Sequence, residues 1–388
     1  MKDVGVLMKK KKWWQKRWIK VLMIILAILL VGGGIFAWKA GSIINKITIK
    51  GGLFKSLTHT ISGVGEQLKG EKEGRINVLL LGMRGENVVA GGLLADTVMV
   101  LSIKPGQTEP PQVARISMIS IPRDLYVNNP GWGNQTKINA VYAAGEENGK
   151  AQGLEDMKKV VGEITGLPIH YSISMNFKGF TELVDALGGI EVDLKEPFIE
   201  SIQFHEERAC DPNVFTIPSG NWDIKKDHIG RIKASYRLCY PDPKYIECGG
   251  NFEVPAGKST LDGKKALCYV RSRKTSNDFE RARRQQYVID KIKEKALSVG
   301  TLSDFSKING ILDSLGNNVK TDMELWELTA FYDLYKKNPN PVVINKVLDN
   351  SEEGLLYNPP ENKQTGYILL PRGDNYNQIR QLFQNIFN

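Results

Sequence analysis

Histidine and cysteine are scarce in this chain: four of each among 388 residues, with no C-x-x-C pair and no two histidines near one another in sequence. That pattern gives no support to a zinc site, which needs several such ligands at short intervals. Internal repeats and low-complexity tracts are absent too, and 41% of the residues are hydrophobic, which argues against a solenoid and against wholesale disorder. Positive charge is less widespread than the total suggests. The formal net charge is +9, but residues 1–20 hold eight Lys/Arg against one Asp, leaving the other 368 residues near +2. A nucleic-acid-binding domain carries its excess on the folded part, so no nucleic acid is expected as a partner.

The excess lies in "KKKKWWQKRWIK", which runs straight into "VLMIILAILLVGGGIFAW", eighteen residues from Val21 to Trp38 without a charge. At about 1.5 Å per residue the run approaches the roughly 30 Å of a bilayer core. Lysines before it, and Trp13, Trp14, Trp18 and Trp38 at its edges, match the positive-inside rule and the aromatic belt. No A-x-A-like cleavage site follows Trp38, so a retained single-pass anchor is expected in the cell membrane. The expected organisation is a cytoplasmic basic segment (1–20), a transmembrane helix (21–38), a stalk (39–74) and one extracytoplasmic domain (75–388). Cys210, Cys239, Cys248 and Cys268 then all lie outside the cell, where disulfides are permitted. One bridge is expected among the first three, with Cys268 a buried thiol in its apolar run.

Within the external part, "INVLLLG" (76–82), "TVMVLSI" (97–103) and "VARISMISI" (113–121) read as strands buried on both faces. Helices at about 152–165 and 177–187 alternate with strands at 170–175 and 189–194. Residues 197–257, rich in Pro, Cys and aromatics, read as an insertion of ribbons or loops. A strand over 265–273 follows, then helices at 279–298, 302–315 and 322–338, and a closing strand and helix (366–371, 374–387). Interleaved strands and helices predict a three-layer α/β/α sandwich with a central mixed sheet.

The densest charge is "RSRKTSNDFERARRQQ" (271–286). Read as a strand, "ALCYVRSR" places Tyr269, Arg271 and Arg273 on one face. In the next helix Asp278, Arg281 and Gln285 are spaced i, i+3, i+7, and Arg284 lies i+3 from Arg281. Asp278 also sits where an N-cap would. Arg283 can pair with nearby carboxylates on the surface, but the remaining guanidiniums need a dense anion, and a pyrophosphate suits their forked donors. Upstream, Pro122 ends a strand and presents Arg123 and Asp124. Asp96 stands just before another strand, and "TKINAVY" adds Lys137 and Asn139.

These segments resemble the LytR-CpsA-Psr family of cell-wall glycopolymer ligases, in the family's order: "LLLG", "ADT", "SIPRDLYV", "KINAVY", "FKGFTELVDALGGIEVDL", "LDGKKALCYVRSR" and "DFERARRQQ". The resemblance implies a phosphotransferase that moves a glycopolymer, such as teichoic acid or capsule, from a polyprenyl-pyrophosphate lipid onto a hydroxyl of peptidoglycan. By the same resemblance Arg123, Arg271, Arg273, Arg281 and Arg284, with Gln285, grip the pyrophosphate. Asp96 matches a Mg2+-associated carboxylate, and Asp278 or Asp124 is placed to orient the incoming hydroxyl. Charge neutralisation and positioning are what phosphoryl transfer demands of a protein. The apolar residues Phe177, Phe180, Leu183, Val184 and Leu187 are candidates either for a lipid tunnel or for plain core.

One segment departs from the family pattern. Where G-x-D-x-R is common, this chain has "LGMRGEN", with Arg84 at the Asp position and Glu86 at the Arg position. Glu86 is then a candidate compensating carboxylate. Competing functions are a non-catalytic receptor for polyprenyl-pyrophosphate lipid, a lipid pyrophosphatase using the same site, and a membrane-tethered transcription attenuator. The last is disfavoured because some twenty cytoplasmic residues are too few for a folded nucleic-acid reader.

Overall fold

The computed structural model describes residues 67–85, 92–108, 111–149, 152–200, 216–241, 252–272, 276–296, 316, 318–338, 340–360 and 364–388. The basic segment, the apolar run at 21–38, most of the stalk and the expected helix at 302–315 lie outside them. Among the described residues no helix is long and apolar enough to cross a membrane.

Six strands form the central sheet: β1 (Ile76–Met83), β2 (Thr97–Lys104), β3 (Arg115–Ile121), and further on Tyr171–Asn176, Val319–Thr321 and Val342–Val347. Between them run a hairpin, β4 (Tyr126–Asn129) and β5 (Asn134–Lys137), and helices α1 (Asn139–Asn148) and α2 (Gln152–Thr165). With β6 assigned to Tyr171–Asn176, the next elements are α3 (Phe177–Ala186), β7 (Ile190–Leu194) and β8 (Phe198–Glu200). A two-stranded ribbon, β9 (Thr216–Lys226) with β10 (Ile232–Pro241), precedes β11 (Phe252–Val254) and β12 (Gly257–Leu261). The chain closes with α4 (Gly263–Arg271), α5 (Asp278–Ala296), β13 (Val319–Thr321), α6 (Leu325–Lys337), β14 (Val342–Val347) and α7 (Asn377–Asn385).

The sheet order is β13-β6-β1-β2-β3-β14. β1 pairs antiparallel with β2 but parallel with β6, and β14 pairs parallel with β3, so the fold is mixed α/β around a mixed sheet. The two-residue period sends Leu79, Leu81, Val98, Val100, Ile119 and Ile121 to one face, where they meet α1, α2 and α7. Ile76, Val78, Leu101 and Tyr171 leave by the other face and pack on Met323 and α6. A separate core joins α3, α4 and α5 to β7, β11 and β12.

Two expectations need correction. Residues 265–273 do not form a strand: α4 occupies 263–271. Its start is set by Asp262, whose side chain accepts from the Lys265 N–H at 2.7 Å. Gly263 lies so close to α3 that a Cβ there would be 2.2 Å from the Thr181 carbonyl oxygen. Ala266, Leu267, Cys268, Tyr269 and Val270 are all buried, an unbroken apolar run that reads equally as a buried strand or a buried helix, while Lys264 and Lys265 at the start of the helix are exposed. Cys268 is buried as expected but is disulfide-bonded, not a thiol. Its partner is therefore one of the three cysteines expected to pair among themselves. Of the tunnel candidates, Val184 is fully buried in the second core with Phe177 and Phe180 packed against it, and Leu187 is fully buried as well.

Candidate functional site

The cleft lies where several chain segments end together. Asp96 and Thr97 enter β2, Ser120–Arg123 leave β3, and the first two turns of α5 supply Asp278, Arg281 and Gln285. Pro122 ends β3 in a tight turn, with the Leu125 N–H donating to the Pro122 carbonyl at 3.1 Å. The turn is held from outside by the Asn139 N–H, which donates to the Arg123 carbonyl, and by the Leu369 N–H, which donates to that of Asp124. Asn139 thus contributes its backbone: its own carbonyl accepts from Ala95, next to Asp96.

Arg123 is the hub. Its Nη1 donates to Asp96 Oδ1 at 2.7 Å, and its Nε lies 3.6 Å from Asp124 Oδ2 and 3.4 Å from Asp278 Oδ2. That Nε is buried and makes no hydrogen bond. Burial disfavours its charge, yet Asp96, Asp278 and Asp124 outweigh burial and raise the pKa above the ordinary arginine value. Asp124 also receives Lys137 Nζ at 2.8 Å. Asp278 accepts an ion pair from Arg281 Nη1 at 3.3 Å, one helical turn on.

The cap of α5 is Asn277, whose Oδ1 accepts the Glu280 N–H at 2.9 Å. Asp278 is therefore not spent on capping and faces the cleft. Arg271, the last residue of α4, stacks its guanidinium 4.6 Å over the Phe177 ring. Burial, then Arg84, and also Arg281, push its pKa down to about 10, with Asp96 opposing. It stays charged at neutral pH.

Arg284 does not reach the cleft. Its Nε donates to the Tyr269 carbonyl at 3.0 Å, and its Nη2 donates to the Ser272 carbonyl and to Ser276 Oγ. Gln285 lines the cleft and donates weakly to the Val270 carbonyl at 3.4 Å. Arg283 pairs with Glu280 on the surface, as expected. Gln286, which the sequence did not single out, is buried and donates to Ser120 Oγ at 2.9 Å and to the Lys346 carbonyl at 2.7 Å. It ties α5 to β3 and β14 directly behind the arginines; the doubled glutamine was its only trace. Arg273 and Glu86 lie outside the described residues.

A magnesium ion takes oxygen ligands from one or two carboxylates together with substrate phosphates. Asp96 has its Oδ1 engaged by Arg123, and the position where the family pattern has a second carboxylate carries Arg84. No group of three His, Cys, Asp or Glu side chains able to hold a metal occurs among the described residues. Among the described residues, Asp96 with one oxygen held by Arg123 and Arg84 at the second position do not fit a magnesium site.

Sheet order and cleft together define a mixed α/β domain with a guanidinium-rich cleft at the ends of its strands. The chain belongs to the LytR-CpsA-Psr family, whose model LytR_cpsA_psr matches residues 54–368. It is 29% identical over 354 residues to the polyisoprenyl-teichoic acid–peptidoglycan teichoic acid transferase TagU of Oceanobacillus iheyensis, covering 90% of each chain. The transferase TagT of Bacillus subtilis is also 29% identical, over 335 residues, 84% of this chain and 83% of that one. The fold resembles that of TagT bound to LI-WTA, with a TM-score of 0.51 at 22% identity over 83% of this chain and 93% of that one.

Proposed function

We propose that this chain is a membrane-anchored, extracytoplasmic phosphotransferase that moves a glycopolymer from a polyprenyl-pyrophosphate carrier onto a peptidoglycan hydroxyl. The names of its relatives support the reaction class. The observation that carries it is the gathering of guanidiniums at the cleft: Arg123 and Arg281 both pair with Asp278, and Arg271 lies close enough to feel the charges of Asp96 and Arg281. Several guanidiniums around one cleft suit a dense anion such as a pyrophosphate, which their forked donors bind.

In this reading the guanidiniums hold the pyrophosphate. The acceptor hydroxyl oxygen bonds to the sugar-side phosphorus, and the bond from that phosphorus to the bridging oxygen breaks. Lipid phosphate leaves with the developing charge on the arginines. Asp278 orients the hydroxyl and takes its proton; Asp124, engaged by Lys137, positions that lysine and Arg123.

The test is the full chain in detergent micelles with lipid-pyrophosphate-linked glycan and peptidoglycan fragments. Lipid phosphate should be released as glycan enters the fragments. Arg271→Ala or Arg281→Ala should cut the rate by about 10²-fold or more with the circular dichroism unchanged. Near-normal transfer by either variant overturns the reading, and binding without release makes the protein a receptor.

A further inference from the structure

β1 ends at Met83, beside Asn176 in the parallel register with β6, and Gly82 faces Thr97 of β2. Arg84 is the next residue out of the sheet. It therefore leaves between Asp96, which precedes Thr97, and Phe177, which follows Asn176 and carries the Arg271 guanidinium on its ring. The field of Arg84 reaches Arg271 and opposes its protonation more than Arg281 does. No described carboxylate lies within ion-pair distance of Arg84. Two guanidiniums are thus brought together at the position where the family pattern has a carboxylate, and the carboxylates around the cleft are already engaged by other cations.

We propose that Arg84 takes the place of a divalent cation in this cleft: with Arg271 and Arg123 it supplies the counter-charge of the pyrophosphate, so the chain binds its lipid substrate without magnesium. This rests on the pyrophosphate-lipid reading above. The charges agree. Arg84, Arg123, Lys137, Arg271 and Arg281 against Asp96, Asp124 and Asp278 leave an excess of two positive charges, the number a pyrophosphate diester brings with opposite sign. Arg273 and Glu86 carry opposite charges, so counting them leaves the excess unchanged. A divalent cation added to this set would overcompensate the ligand and sit among guanidiniums, where like charges repel it. A carboxylate at position 84 reverses the balance: the cleft becomes neutral and regains the oxygen donor that a cation needs. The exchange of an acid for a base in "LGMRGEN" is then a change of counter-ion, with the site otherwise intact.

The test uses the full chain in detergent and farnesyl-pyrophosphoryl-N-acetylglucosamine, a pyrophosphate diester, titrated by calorimetry in EDTA and in excess magnesium. The unaltered chain should bind with affinities within about threefold in the two buffers, whereas Arg84→Asp should bind about tenfold or more weakly in EDTA and recover with magnesium. Manganese titration followed by electron paramagnetic resonance gives a readout free of the lipid: Arg84→Asp should take up the ion and the unaltered chain should not. Arg84→Gln, which adds no charge, should weaken binding in both buffers and guards against misfolding of the aspartate variant. A tenfold loss of affinity by the unaltered chain in EDTA overturns the proposal, as does an Arg84→Asp variant indifferent to magnesium. Failure of all three forms to bind the diester in either buffer instead overturns the pyrophosphate-lipid reading, and this proposal falls with it.

Discussion

Arg284 Nε donates to the carbonyl of Tyr269 at 3.0 Å, so a cation on α5 closes the exposed carbonyl end of α4. The last carbonyls of a helix have no partner within it and carry partial negative charge. Arg284 meets that need with further bonds to Ser272 and Ser276, and its plane lies 5.0 Å from the Phe198 ring. Arg284→Ala should therefore destabilise the fold by about 2–4 kcal/mol. Arg284→Lys should recover little, because an ammonium cannot span the same acceptors. Urea unfolding checks both; an unchanged midpoint for Arg284→Ala would show that the clamp contributes nothing.

Asp278 and Asp124 should separate kinetically. Asp278 lines the cleft, whereas Asp124 is 9% exposed and holds Lys137 at 2.8 Å. Loss of a proton acceptor lowers turnover, so Asp278→Asn should reduce kcat by about 10²-fold with little change in KM. Asp124→Asn should mainly raise KM by releasing Lys137 and Arg123. Steady-state transfer rates decide, and the opposite split would reverse the two roles.

His170 predicts a pH dependence of stability. Its Nδ1 accepts the Asn77 N–H at 3.0 Å, which requires that nitrogen unprotonated. Burial lowers its pKa below the ordinary histidine value, with Glu73 raising and Lys69 lowering it further. The unfolded chain then binds the proton more readily, so stability is full above about pH 6.5 and falls as pH drops below it. Melting temperature should decline from about pH 6.5 towards 5. His170→Asn, whose side-chain oxygen can accept the same N–H, should flatten that slope.

Legibility of the sequence followed periodicity. The helix read at 152–165 coincides with α2, because Leu154, Met157, Val160, Val161 and Ile164 repeat on one face and are all buried there. β1, β2 and β3 were legible from apolar runs ended by Gly and Pro. α4 was not, since its unbroken apolar run from Ala266 to Val270 suits a buried strand as well as a helix unless Asp262 is recognised as its cap. The site residues divided for a different reason. Spacing placed Arg281 and Arg284 on a shared face, but Arg281 and Gln285 line the cleft while Arg284 turns to the carbonyl end of α4, and only tertiary packing decides which guanidinium enters the cleft.

The first strand of the sheet is also bound to the last helix. Arg75, one residue before β1, donates to the Phe383 carbonyl at 2.7 Å across 308 positions and stacks 5.0 Å over Phe387. Phe383 and Ile379 of α7 are buried in the core that covers Leu79 and Leu81. α1 and α2 can cover part of the apolar face of β1 early in synthesis, but the strip that α7 closes must wait for nearly the whole polypeptide to emerge. During biogenesis that strip stays open to a chaperone until α7 docks.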